Sequence, residues 1–244
     1  MVTPPNPYRC PPGPYERVSM IAHQSKKSNP TAKIVVLDPK NKFSKQGLFM
    51  QAWQRHYPGM IEWIDADTHG GIKNVNVTKM EFETDLDTFK ADAASIVPAQ
   101  RAGSIAMAAG VNDGDWCPIM PASMQSKADE NIYVLGDASI AASMPKSGFS
   151  ANSQAKVAAN HIRGSLTGSK IFGARYANTC WSLVATNDGI KVGASYKAGD
   201  EKIEATSKFV SQTDEDSDTR KATYDESVGW YEGCLLYTSD AADE

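Results

Sequence analysis

The spacing of apolar residues changes period several times along the chain, and the changes mark out its elements. Residues 4–14 hold six prolines, which lack an amide donor and restrict their predecessors, so a stiff shaped loop is predicted there. A helix is predicted from about Pro14, with Glu16 in its first turn and Val18, Ile21 and Ala22 at helical spacing. Lys33 to Leu37 is a short β-branched run of the kind found in a buried parallel strand, closed by Asp38-Pro39. Residues 43–57 predict a second amphipathic helix. Residues 61–64, 71–77 and 79–83 predict short strands of an antiparallel annex, and 91–97 a buried strand. A short helix over 100–109, a loop through Trp116-Cys117-Pro118 and an apolar strand over 131–135 follow. Then come a helix over 151–166, strands at 181–184, 189–196 and 202–209, and a terminal helix over 218–231. Strand, helix, strand at the start of this order predicts an α/β layer.

Composition narrows the partners. The 244 residues are 41% hydrophobic and 22% charged, with a formal charge of −4 and scattered lysines and arginines, so no footprint for nucleic acid or an anionic membrane is present. No apolar run is long enough to span a bilayer, and Met1 to Pro5 has neither the basic flank nor the apolar core of a signal peptide. The segment Cys234 to Glu244 resembles the translation of a transposase adapter used in sequencing libraries, and it is expected to be no part of the natural protein. The gene is accordingly expected to be truncated at both ends.

Two segments carry candidate chemistry. Val134-Leu-Gly-Asp137 reads as a strand whose carboxyl end presents Gly136, Asp137 and Ala138, where open α/β sheets bind cofactors, although Gly-Asp alone is equally a common turn. Met144, Pro145, Lys146 and Ser147 then lead into a helix whose amino end favours negative charge on a ligand, and Lys146 would suit an anionic reduced ring. The cysteines at 10, 117, 180 and 234 have no zinc spacing. Cys117 reads as a packed core thiol. His23, His56, His69 and His161 form no ligand set and read as surface or half-buried side chains, while Asp38 reads as a strand-ending turn because no Gly-rich loop precedes it.

Five segments resemble the flavoprotein subunit of flavocytochrome c sulfide dehydrogenase: Pro5 to Arg17, Phe43 to Phe49, Gly136 to Ala138, Met144 to Gln154 and Asn178 to Cys180. The resemblance runs from about residue 4 to 233. It implies an α/β fold like that of glutathione reductase, with two dinucleotide-binding domains, here partial, and an α+β interface domain. In this chain residues 1–98 would belong to the second, NAD-like domain, 99–172 to the C-terminal half of the FAD domain and 173–233 to the interface domain. It further implies FAD, a redox disulfide between Cys10 and Cys180 with Glu16 beside it, Asp137 on the ribityl chain, a c-type cytochrome partner carrying the haem, and a periplasmic location. Trp181 stands where the family more often has tyrosine. The Gly-rich βαβ unit and the FAD-tethering cysteine of the family are not within these residues, so this chain alone is expected to be inactive.

The implied reaction is attack of hydrosulfide on the Cys10–Cys180 disulfide, leaving a persulfide and a thiolate. The helix starting near Pro14 is expected to favour a Cys10 thiolate, and Glu16 to handle protons. Two alternatives stand beside it. One is an NADH- or quinone-linked flavoprotein of the same fold, against which the first loop offers prolines and Cys10 where phosphate binding wants glycines. The other is a non-catalytic scaffold chain.

Overall fold

Prolines set the start of the first helix, α1 (Gly13–Ser28), in a computed structural model that describes residues 1–240 and side chains to 235. Pro14 lies in its first turn, where the missing amide costs nothing. Tyr15, Val18, Ser19 and Ala22, at helical spacing, form its buried stripe. β1 (Ile34–Leu37) follows, then α2 (Gln46–His56), which buries Leu48, Phe49, Ala52 and Trp53. β2 (Ile61–Ile64) pairs with β1 in parallel, Ile34 opposite Ile61. The stripes of α1 and α2 meet β1 in the largest core, where burying Val18 or Phe49 contributes about 1.5–3 kcal/mol each.

Two sequence expectations change here. Residues 61–64 were expected in the antiparallel annex; they instead extend the parallel layer, because Ile61 and Trp63 have a partly buried role against the first core. The annex consists, after the short helix α3 (Ala66–His69), of β3 (Ile72–Asn76), β4 (Glu81–Thr84) and β5 (Thr88–Lys90). Residues 91–97 do not form a buried strand: Ala93, Ala94 and Ile96 are exposed, and pairing is limited to an isolated parallel bridge between Ile96 and Val2, which also bridges Leu37.

The middle of the chain has little regular structure. It contains α4 (Ser104–Ala108), the two-residue strands β6 (Cys117–Pro118) and β7 (Ser139–Ile140), and α5 (Gly148–Thr167). Residues 131–135 are not the predicted strand. They meet one neighbour only, through Ser126 N–H to Ile132 O, Val134 N–H to Met124 O and a bridge from Tyr133 to Gln125, so no continuous ladder forms. Cys117 is fully buried, as a core thiol.

An antiparallel sheet closes the fold, made of β8 (Arg175–Ala185), β9 (Asp188–Ala198) and β10 (Ile203–Val210). Burial along β8 alternates strictly, so Tyr176, Asn178, Cys180, Ser182 and Val184 share the inner face. Trp181 points to the other face and meets Trp230 of α6 (Ser217–Asp240), ring centroids 6.0 Å apart. Of the adapter-like segment, 234–240 continues α6 and 241–244 lies outside the described residues.

Buried charge ties α6 down as well. Asp188, at the start of β9, accepts from Arg220 of α6 at 2.6 Å and faces His56 of α2 at 2.7 Å. Beside it the backbones touch: a Cβ on Gly189 would lie 2.6 Å from Tyr224 N. Gly189→Ala is therefore expected to push α6 off the sheet and to destabilise the protein by about 1–3 kcal/mol, read as a lower denaturation midpoint at unchanged slope.

Candidate active site

Cys10 closes the proline-rich loop in a left-handed backbone conformation, φ 52°, which costs a non-glycine residue roughly 1–2 kcal/mol. It is held by two bonds: its N–H donates to Lys146 O at 2.7 Å, and its carbonyl accepts from Gly13 N–H at 2.7 Å. Gly13 is required by close approach, since a Cβ there would sit 3.0 Å from Cys10 Sγ. A shallow cleft lined by Gly13, Glu16, Arg17, Met20, Ile21 and Gln24 runs along α1 beside this loop.

Cys180 reaches the same place from β8, because α1 packs across that strand. Glu16 spans the junction, its Oε1 accepting from Leu183 N–H at 2.7 Å. Cys180 is buried and Cys10 exposed; each carries a thiol, with no disulfide joining them in this structure. They are close enough for the charge of one to act on the other: burial first, then Cys180 and Glu16, push the Cys10 thiol up to about 11. The expectation that the helix end would favour a Cys10 thiolate is thus reversed. Burial, Cys180 and Glu16 together outweigh the Gly13 N–H at the helix start and Lys45, which act in the opposite sense. Burial also raises the Glu16 carboxyl, opposed by the Leu183 N–H and by Lys45.

Lys45 is the residue the sequence reading missed as an individual. It caps α2 in a left-handed conformation, φ 60°, which turns its side chain under the sheet. Its ammonium donates to Cys180 O and Ser182 Oγ, both at 2.9 Å, and to Ile190 O at 3.3 Å. Among the described residues it has no ion pair, and burial lowers it to about 8 even though Cys180, Glu16 and Cys10 act in the opposite sense. Nothing in the run Phe43-Ser-Lys-Gln-Gly distinguishes this lysine from a solvated one; only the αL cap does.

Asn178 was noted only as part of a motif, yet it organises the site. Its Oδ1 accepts from Ser147 Oγ at 2.5 Å and Ser150 Oγ at 3.1 Å, and its Nδ2 donates to Cys180 Sγ at 3.3 Å. With Ser153 bonded to Ala177 N–H, a stripe of serines three residues apart lays α5 against β8. That spacing was the available signal.

The proposed cofactor residues lie beside the thiols but play different parts. Gly136, Asp137 and Ala138 form a 3-10 turn. Gly136 is buried with φ 68°, and its N–H donates to Gln154 Oε1 at 2.6 Å. The half-buried Asp137 carboxylate accepts no hydrogen bond among the described residues, although its charge acts on Lys146, and this fits an acceptor for the hydroxyls of a ligand. Ser147 caps α5, accepting from Ser150 N–H, and the first N–H groups of that helix have no partner within it. Met144 instead points into a core, against Gln154, and Pro145 is half-buried. Lys146, expected near a reduced ring, turns inward: its ammonium donates to Asp137 O and Ser139 O and stacks 3.7 Å from the Trp116 ring centroid, and burial lowers it to about 8.

Two thiols with a lysine and a glutamate lie against a turn that offers a carboxylate and a helix amino end, in a mixed α/β fold, and the family match gives the class, an oxidoreductase flavoprotein. The chain belongs to the family of the flavoprotein chain of flavocytochrome c sulfide dehydrogenase: residues 1–98 match its central region and residues 173–235 its flavin-binding region. The flavin-binding match makes FAD the cofactor. Among solved structures, a chain of the cryo-EM F1Fo composite tetramer of Tetrahymena thermophila mitochondrial ATP synthase is 16% identical, with a TM-score of 0.47 over 74% of this chain. The present chain spans 45% of that one, and so weak a likeness carries no argument. No described helix is long and apolar enough to cross a membrane, and no described His, Cys, Asp and Glu cluster suits a metal.

Proposed function

We propose that this chain serves flavin-dependent sulfide oxidation, with Cys10 and Cys180 cycling between dithiol and disulfide and a c-type cytochrome as final acceptor. One observation carries the reading: two cysteines 170 positions apart lie within electrostatic reach of each other at a junction that also holds Glu16 and Lys45. A buried structural cysteine needs neither a second thiol in electrostatic reach nor charged neighbours of both signs. In this reading the chain is a partial glutathione-reductase-like flavoprotein, with 1–98 in its NAD-like domain, 99–172 in its FAD domain and 173–233 at its interface. A periplasmic setting accords with a lasting disulfide.

Hydrosulfide attacks one sulfur of the disulfide; the S–S bond breaks as the new S–S bond forms, leaving a persulfide and a thiolate. Glu16, with its raised carboxyl, exchanges the proton of the incoming sulfide. Gly136, Asp137, Ala138 and the amino end of α5 at Ser147 would hold FAD by its polyol and its more negative edge, while Lys146 keeps the turn in shape. Bound FAD supplies a two-electron acceptor able to release electrons singly to a haem.

The test is anaerobic titration of the flavin-loaded protein with sulfide and, separately, with NADH. Bleaching of the flavin by sulfide and indifference to NADH is the expected result. Bleaching by NADH alone replaces this reading with a pyridine-nucleotide oxidoreductase.

A further inference from the structure

The two sulfurs of the site are not equivalent, and the difference has a direction. Cys10 is exposed as a residue, at the loop beside the cleft along α1, although its sulfur lies against Gly13 and is partly shielded, whereas Cys180 is 8% exposed on the inner face of β8, so Cys10 is the more accessible of the two. In a disulfide exchange the accessible sulfur is the one attacked, and the sulfur whose anion is better stabilised leaves. The groups bonded directly lie on the Cys180 side. Asn178 Nδ2 donates to Cys180 Sγ at 3.3 Å, and it is fixed in that sense because two serine hydroxyls hold Oδ1. The Lys45 ammonium is bonded to the carbonyl of Cys180 itself and to the next inward side chain, Ser182. At Cys10 the Gly13 N–H and the charge of Lys45 also act, but burial, Cys180 and the acidic neighbour Glu16 outweigh them.

We propose that Lys45 is a positioning residue that, with Asn178, stabilises the thiolate of Cys180, so that sulfide attacks Cys10 and the persulfide forms there. This rests on the sulfide-oxidising reading above. Written in full, HS⁻ adds to Cys10 Sγ, the Cys10–Cys180 bond breaks, its electron pair goes to Cys180 Sγ, and the products are Cys10–S–SH and the Cys180 thiolate. The incoming sulfur is oxidised and the disulfide reduced by the same electron pair. Lys45 is bonded to two carbonyls and a hydroxyl, with Glu16 acting on it but not bonded to it, and a second counter-charge appears when the disulfide opens. The groups that face it are Glu16 on α1, Cys10 in the loop before α1 and Cys180 on β8, the last also acting on Tyr196 of β9.

The sign of the pH dependence follows. Lys45 is charged below about 8 and loses its proton as pH rises through that value, so the thiolate loses its support on the alkaline side. Arginine keeps its charge throughout this range.

The experiment uses the full flavin-loaded protein in single turnover with sulfide, quenched, alkylated and read by peptide mass spectrometry, alongside the rate of sulfide-driven flavin reduction against pH. The extra sulfur is expected on the peptide containing Cys10. Lys45→Met is expected to slow the sulfide step by about tenfold or more, the effect of one lost nearby charge. Lys45→Arg is expected to restore the rate, and its ratio to wild type to rise above about pH 8. An extra sulfur on Cys180, equal losses in both variants, or a flat ratio across that pH range overturns the proposal while leaving sulfide oxidation standing. Flavin reduction by sulfide with no persulfide on either cysteine overturns the disulfide reading itself, and this inference with it.

Discussion

Serine at either Cys10 or Cys180 is expected to reduce sulfide-driven flavin reduction to the level of sulfide with free flavin, and the double variant is expected to be no worse than either single one. The reason is that the two sulfurs act as one group: a disulfide needs both, and a hydroxyl offers neither a bond to exchange nor a leaving thiolate. The environment is not what fails, since serine keeps the size of the side chain and leaves Asn178, Glu16 and Lys45 in place around it. Stopped-flow flavin absorbance against sulfide checks this, with chemical reduction of the same sample as control. A flavin that stays reducible by dithionite but ignores sulfide in all three variants is the expected pattern. A single variant that retains fast sulfide reduction removes the disulfide from the mechanism.

Asp38→Ala is expected to be the most destabilising single change in the first half of the chain, by about 3–5 kcal/mol. Asp38 is fully buried at the end of β1. Its Oδ1 pairs with Lys40 Nζ at 2.7 Å, and its Oδ2 accepts from Tyr15 OH at 2.5 Å and Trp63 Nε1 at 2.9 Å. Its carbonyl meets the ring of His69, itself fully buried where a surface or half-buried side chain was expected. Removing the carboxylate strands the Lys40 ammonium, which is also buried, and leaves two ring donors unmet. Against the 5–15 kcal/mol by which domains are commonly stable, this is a large fraction. Denaturant unfolding of wild type and variant measures it. The same geometry shows that this aspartate is occupied by the protein's own donors and has no acceptor left for a ribose.

Much of the local structure is legible in the residues. The stripe Tyr15, Val18, Ser19 and Ala22 and the start at Pro14 announce α1, because capping and periodicity are properties of neighbouring residues. The strands of the final sheet announce themselves by alternation, although β8 begins six residues earlier than its apolar core at Trp181 to Val184. Polar Asn178 and small Ala177 lie inside it, paired through β9 rather than chosen by propensity. The strands expected over 91–97 and 131–135 failed for the complementary reason. An apolar run supplies β propensity, but a strand exists only where a second backbone accepts and donates along it, and these runs find single bridges.

The site divides along the same line. Cys10, Cys180, Glu16 and Asp137 were selected from the sequence because each stands in a recognisable segment, and the family to which the chain belongs is written in those segments. What residue order alone determined was which side chains are present and which short stretches turn, coil or extend. Only the tertiary structure decided that α1 lies across β8, which brings Glu16 to Leu183 and Cys10 to Cys180. It also bonded Lys146 to the carbonyls of Asp137 and Ser139, turned Lys45 toward the thiols, and reversed the expected balance of charge at Cys10. Burial and electrostatics depend on distances between atoms far apart in the chain, and those distances come into being when the helices and sheets pack.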